Sequence, residues 1–277
     1  MIRPALMGPV GASDLHVMSF NVRRAMDGAA IRPADRWSVR APAVAAMLAS
    51  ERPTIVGLQE ALPRSVNVAR AALGPSYRAL GRGRGRNGQG EGCPLVFDES
   101  RVAVSAWGQR ALSDRPLAAG SRGWGALVPR VFVWAEFRLL STGGAFLVVN
   151  THFDPLSRRA RRRSAATIGA FVRHRAMPSL VIGDLNAGEG SGTVIALMRA
   201  GGLRDSWRGA RRRATTAWGT DPGYHAPRSG GRRIDWILAT PDVSVGTAAI
   251  NARTYAGHRP SDHFPVQALV RFEGEPA

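Results

Sequence analysis

Ser179-Leu180-Val181-Ile182 is a short apolar run that ends in Gly183-Asp184-Leu185-Asn186. A run of this length, bounded by turn formers, suits a buried strand better than a helix. It carries a carboxylate and an amide to its end. Asp184 and Asn186 are separated by one residue, so on an extended segment they point to the same side. The arrangement recurs in both directions along the chain. The strand expected from Leu15 brings Asn21 to its end, and Thr54–Gln59 delivers Glu60. Ala145–Asn150 leads into His152, and Asp262-His263 stands directly before an apolar stretch at Phe264–Phe272. Each placement alone is ordinary, because Asp, Asn and Gly are common turn formers. Repeated at one strand end after another, it places polar groups from distant sequence on the rim of one rigid scaffold.

Helical periodicity separates some of these strands. Trp37, Ala41, Val44, Ala45 and Leu48 predict a helix over Trp37–Glu51, and Pro63–Leu73 predicts a second, stopped by Gly74-Pro75. A basic helix is expected over Leu156–Arg175 and a short one over Thr193–Ala200. Further strands are expected at Pro94–Phe97, Val102–Trp107, Arg130–Leu139 and Ile234–Leu238. Gly81–Gly92, rich in Gly and Arg, reads as a flexible loop. Strands outnumber helices and many connections are short, which suits packed mixed sheets with helices outside. No internal repeat or linker divides the chain, so 1–277 is expected to be a single domain with 1–13 as a loose N-terminal extension.

Composition narrows the function. No run of about 18 apolar residues predicts a membrane span, and the N-terminus does not resemble a secretory signal. A cytoplasmic protein is expected. The one cysteine, Cys93, excludes an intrachain disulfide and reads as a small buried hydrophobe rather than a nucleophile. The formal net charge is +18, which points to an anionic partner. All 38 Lys-or-Arg positions are Arg, however, so part of this charge reflects a compositional bias. The runs Arg158-Arg159, Arg161–Arg163 and Arg211–Arg213 fit either a solvated face or a patch that tracks phosphates.

The residue types at the strand ends suit phosphate chemistry. Glu60, Asp262 and Asn21 are hard oxygen ligands, fit for Mg2+ or Mn2+, and no His/Cys cluster has zinc spacing. Asp184 and Asn186 together can polarise a water and hold a phosphate oxygen. His152 and His263 can supply charge or donors to a phosphate in its transition state. Asp262 either orients an imidazole nearby or ligates metal while His263 works alone.

Met18–Arg23, Gly57–Glu60, Asn150–Asp154, Gly183–Ala187, Arg233–Ile237 and Ser261–Val266 resemble, in that order, the motifs of the endonuclease/exonuclease/phosphatase superfamily. The resemblance implies a DNase I-like four-layer α/β sandwich, two mixed β-sheets packed face to face with helices outside. It also implies Mg2+ or Mn2+ at one end, held chiefly by Glu60 with Asn21 and Asp262. By the same resemblance Asp184 orients or deprotonates the attacking water and Asn186 positions phosphate. His152 and Asn150 donate to phosphate oxygens, His263 acts with Asp262, and Asp235 supports His152 or its neighbours. A bacterial branch related to deadenylases is similar around Gly81–Phe97 and Gly123–Arg130. In that branch Glu91, Arg130 and His225 line the substrate side of the cleft. The chain departs from the branch at Tyr224-His225-Ala226-Pro227, where Phe-His-Gly is usual.

The expected activity is therefore metal-assisted, in-line hydrolysis of a phosphate mono- or diester. A nuclease acting on single-stranded RNA or DNA is the alternative, and a silent nucleic-acid-binding protein is a third reading. No protein partner is expected.

Overall fold

The computed structural model describes residues 4–11 and 14–272. Its first sheet opens with β1 (Leu15–Asn21), crosses through helix α1 (Trp37–Glu51) to β2 (Ile55–Gln59), then through α2 (Pro63–Leu73) to β3 (Tyr77–Leu80) and β4 (Leu95–Asp98). The chain next builds most of a second sheet: β5 (Val102–Ala111), β6 (Val131–Leu139), β7 (Ala145–His152), α3 (Arg158–Arg175), β8 (Ser179–Asp184), α4 (Gly192–Gly201) and β9 (Arg204–Asp205). After the short α5 (Ser206–Gly209), β10 (Arg212–Arg213) joins the first sheet, β11 (Asp235–Ala239) the second, and β12 (Val243–Ile250) and β13 (Val266–Phe272) the first. The strand orders are β10-β12-β13-β1-β2-β4-β3 and β5-β6-β7-β8-β11-β9. Parallel pairs β1/β2 and β7/β8 lie within otherwise mostly antiparallel ladders, so both sheets are mixed.

Alternation along the strands explains the layers. Val17, Ile55, Phe137, Val148, Ile182 and Ile237 face inward and form one core between the sheets. Met18, Phe20, Val56 and Leu58 point the other way and pack on Val44, Met47 and Leu48 of α1. Val181, Trp236 and Leu238 likewise cover Ile168, Val172 and Leu197 of α3 and α4. The result is the expected four-layer α/β sandwich. Each fully buried Leu, Ile or Phe contributes about 1.5–3 kcal/mol, so all three cores matter to stability. Arg158, Arg159, Arg162 and Arg163 lie on the exposed face of α3, and Arg211–Arg213 are exposed too, as solvated charge.

Three expectations need correction. β12, which pairs along β13, has no counterpart among the expected strands; its Ser, Gly and Ala carry little β signal, and a register shift at Val245/Thr247 breaks its alternation. The loop over 81–92 is not slack: Arg84 N–H donates to Glu91 O (2.8 Å) and Gly83 N–H to Gly88 O (2.9 Å). The N-terminal extension is fastened where it is described, since Leu6 and Met7 N–H groups donate to the Glu51 carboxylate at 2.8 and 3.0 Å. Residues 1–3, 12 and 13 of that extension lie outside the described residues. Among the described residues, no helix is long and apolar enough to cross a membrane.

Candidate active site

Strand register brings the polar residues together. His152 of β7 is level with Asp184 of β8, and Asp184 is level with Asp235 of β11. Residues directly opposite in a ladder point to the same face. All three share the parity of Ile182 and Ile237, so they stand at the end of the space between the sheets, where the apolar core stops. Asn21 ends β1 on the facing sheet, level with Gln59, and Glu60 follows Gln59. Three of the connecting turns pass through left-handed, non-glycine residues: Arg23 (φ 56°), Glu60 (φ 56°) and Asn186 (φ 48°). Such conformations cost about 1–3 kcal/mol each and persist only where surrounding contacts enforce them.

Asp184 is the hub. Its Oδ2 accepts from Asn21 Nδ2 at 3.0 Å, and lies 3.5 Å from His152 Nε2 and 4.0 Å from His263 Nε2. Its Oδ1 accepts from the Asn186 backbone N–H at 2.9 Å. Asn21 Nδ2 also donates to Glu60 Oε1 (3.2 Å), while Arg24 N–H donates to Glu60 Oε2 (2.9 Å). One amide thus spans the carboxylates of both sheets. Burial, reinforced by Asp235, raises the Asp184 pKa. Burial also works against ionisation of Glu60, but His152, the Arg24 N–H, the Asn21 amide and Arg23 outweigh it and hold Glu60 at about 2.

The two histidines carry opposite protonation states. Burial lowers His152 to about 4, against the pull of Asp184, so its imidazole is neutral at pH 7. For His263 burial is overcome by Asp235, whose Oδ2 lies 2.9 Å from His263 Nδ1, and its pKa rises well above the ordinary value. His263 is therefore an imidazolium whose other nitrogen faces Asp184.

Asp184, Asp235 and His263 offer ligand atoms within 4.8 Å of one another. Two of these groups are already hydrogen-bonded together, which favours an acid–imidazolium pair over a cation cage. Glu60, held ionised at the cleft, Asn21 and Asp262 are the other oxygen donors there; Asn21 Oδ1 accepts from the Arg23 N–H at 2.9 Å. These are oxygen ligands of the kind Mg2+ and Mn2+ take.

A family model described as Endonuclease/Exonuclease/phosphatase family matches residues 18–263. The chain belongs to this family. Its phosphoester-hydrolase chemistry makes the protein a hydrolase of phosphate esters. Among solved structures, an endonuclease/exonuclease/phosphatase from Bacteroides vulgatus is 29% identical, with 94% of this chain and 99% of that chain covered and a TM-score of 0.86. The mannosyl-6-phosphatase of Bacteroides thetaiotaomicron is 29% identical, with 93% and 100% covered and a TM-score of 0.85. The human Nocturnin catalytic domain with a bound sulfate anion shares the fold at 16% identity, with 98% and 100% covered and a TM-score of 0.72. No curated protein matches the chain significantly by sequence.

Within this endonuclease/exonuclease/phosphatase fold, several expected roles change hands. Asn150 is wholly buried and donates through Nδ2 to the carbonyls of Leu58, Cys93 and Pro94 at 2.9–3.0 Å, while Gln59 Nε2 donates to its Oδ1 at 2.7 Å. It bolts the sheets together and has no atom left for phosphate. Asp235 supports His263 rather than His152. Asp262 does not orient its neighbour: its Oδ2 lies 3.4 Å from Arg23 Nε, and its Oδ1 accepts from Ser261 Oγ. Asn186 Nδ2 contacts His152 Nε2 at 3.0 Å and donates to Phe153 O, so it orients the imidazole in this geometry.

The branch residues divide in the same way. Glu91 lies between Arg24 Nε (3.5 Å) and Arg84 (2.5 Å). Arg130 is buried with its Nε 3.5 Å from Asp154, and its Nη1 has no partner among the described residues. His225 is exposed on the rim, whereas its neighbour Tyr224 donates to Asp35 Oδ1 at 3.1 Å. Arg23, Asp35, Arg84 and Tyr224 escaped the sequence reading. Arg23 and Arg84 lie within quoted motifs, but nothing in the sequence singles out one arginine among 38.

Proposed function

We propose that the protein hydrolyses a phosphate ester by in-line attack of a water held at Asp184, with Mg2+ or Mn2+ bound by Glu60, Asn21 and Asp262. The observation that carries this reading is the convergence of Asn21, His152 and His263 on Asp184 Oδ2. A carboxylate whose pKa is raised by burial is the stronger base toward a water. His263, positively charged and fixed by Asp235, is placed to neutralise charge that builds on the phosphate oxygens. His152, neutral and held by Asn186, lies 3.5 Å from the same Asp184 oxygen and limits its rotation. Arg23 and Asn21 fix the Glu60 side of the cleft. When bound, the divalent cation supplies Lewis-acid neutralisation of phosphate charge. Most of the rate then comes from positioning and preorganised charge.

A phosphate monoester of a small molecule is the substrate reading supported by the 29% identical mannosyl-6-phosphatase, matched over its whole length. Cleavage of single-stranded nucleic acid is the second reading, favoured by the net charge of +18. The test is phosphate release across sugar phosphates, p-nitrophenyl phosphate, bis-p-nitrophenyl phosphate, and single-stranded RNA and DNA. Each is run with Mg2+, Mn2+ or EDTA, and with the Asp184→Asn protein as control. Metal-dependent turnover that falls by ~100-fold or more in the variant upholds the assignment. Equal activity of the two proteins overturns it.

A further inference from the structure

The Gly81–Gly92 loop is fastened to the chain directly after Glu60. Ala61 N–H donates to Gly92 O at 3.2 Å, and Gly92 N–H returns to Ala61 O at 2.9 Å. A second loop, within 112–122, packs against its far side. The contact is backbone to backbone: Gly120 has φ +74°, and a Cβ there would lie 2.7 Å from the Arg86 amide nitrogen. Two adjoining cavities of about 450 and 490 Å3 open between the loops and share Arg86, Ala119 and Gly120. Arg82, Arg84 and Arg86 line the first beside Trp107, which is 41% exposed. Arg86, Arg115 and Arg122 line the second. Among the described residues, no Asp or Glu lines either cavity.

This differs in kind from the rest of the positive surface. Arg158, Arg159, Arg162 and Arg163 stand on the exposed face of α3, free to separate into water. Here five guanidiniums line adjoining concave walls and, among the described residues, only Arg84 has a carboxylate partner, Glu91, so the repulsion among the other four is relieved best by a bound anion. Guanidinium matches phosphate with two parallel hydrogen bonds. The cavities fall in the range of small-ligand sites, about 300–1,000 Å3. Side-chain contacts through Arg84 link the first cavity to the cleft. Arg84 lines the first cavity and bonds Glu91 Oε2 at 2.5 Å; Glu91 in turn faces Arg24, whose N–H holds Glu60.

We propose that this groove binds a second phosphate group of the substrate, one that is kept while the ester at Asp184 is cleaved. The substrate is then a bis- or polyphosphorylated compound, with an apolar or ring face against Trp107. The inference rests on the phosphoester-hydrolase reading above and deepens it.

The test compares mannose 6-phosphate with mannose 1,6-bisphosphate, and a 5′-mononucleotide with a 5′-phosphorylated dinucleotide, in wild type and in Arg82→Gln/Arg86→Gln/Arg115→Gln. Wild type is expected to favour the compound with the extra phosphate by at least about tenfold in kcat/KM, about 1.4 kcal/mol. The triple variant loses that preference while its kcat/KM for p-nitrophenyl phosphate stays within about twofold and its melting curve is unchanged. Which pair shows the effect tells a small bisphosphate from an oligonucleotide. An unchanged preference in the variant, or none in wild type, overturns the proposal. If no ester is turned over, the hydrolase reading fails. Calorimetric titration of tripolyphosphate in EDTA then decides the groove: binding weakened about tenfold by the substitutions supports it, and equal binding overturns it.

Discussion

Asn150 reaches from β7 across the inter-sheet space into a gap that exists because residue 57 is glycine. A Cβ at Gly57 would lie 2.7 Å from Asn150 Cγ and 2.6 Å from Ile182 Cδ1. The carboxamide uses that gap to share its two N–H donors among three carbonyls of the facing sheet and to accept from the Gln59 amide. Asn150→Ala removes this donor from the Leu58 and Cys93 carbonyls, while Pro94 O keeps the Leu58 N–H and Gln59 Nε2 keeps Gly57 O, and is expected to cost about 1–3 kcal/mol by urea denaturation. Gly57→Ala should destabilise for the steric reason. A variant of Asn150 that keeps its stability but loses turnover would return this residue to a direct role in catalysis.

Asp235→Asn removes the charge that keeps His263 protonated. The His263 pKa then falls, and turnover should drop by ~100-fold. The high-pH limb of the rate profile, where His263 loses its proton, moves to lower pH. Proton NMR of the imidazole checks this directly. An unmoved His263 titration in the variant would assign its charge to Asp184 or Asp262 instead.

His16 is buried, with Nε2 2.7 Å from Gln267 Oε1, and burial keeps its pKa below the ordinary 6.5. The unfolded chain therefore binds the proton first as pH falls through about 6.5, and stability declines from there toward the lower folded pKa. Wild type should lose more stability than His16→Gln between pH 7.5 and 5.5, as read from urea midpoints. His152 and His263 are common to both proteins and cancel in the difference. Equal losses would mean that His16 titrates alike in the two states.

Mn2+ or Mg2+ at about 100 times its Kd should stabilise the protein by about 2.7 kcal/mol. Glu60→Gln should abolish most of that gain while His263, across the cleft, keeps its NMR signature. A full metal-induced shift in the Glu60 variant would move the ion to the Asp184 side.

The elements legible in the sequence were those with a strong period and clear punctuation. Trp37–Glu51 and Pro63–Leu73 appear with the expected bounds, because apolar spacing, Pro and Gly agree there. Asn150 was misplaced for a reason of depth. β7 continues to His152, so Asn150 sits one pleat below the rim, level with Ile182. The Asp235–His263 pair was hidden by adjacency: Asp262 is next in sequence, while the partner that matters is delivered by β11. Register across a sheet is a long-range property, and no local pattern states it.

The two hydrogen bonds between Ala61 and Gly92 are made by main-chain amides and carbonyls alone. Such a joint needs glycine at 92, where a Cβ would lie 2.7 Å from Arg82 O, but does not depend on the side chains beyond it. The arginines beyond it can be exchanged for residues of another size or charge while Glu60 keeps its place. What the enzyme recognises and what it does to its substrate are therefore separately heritable within one fold.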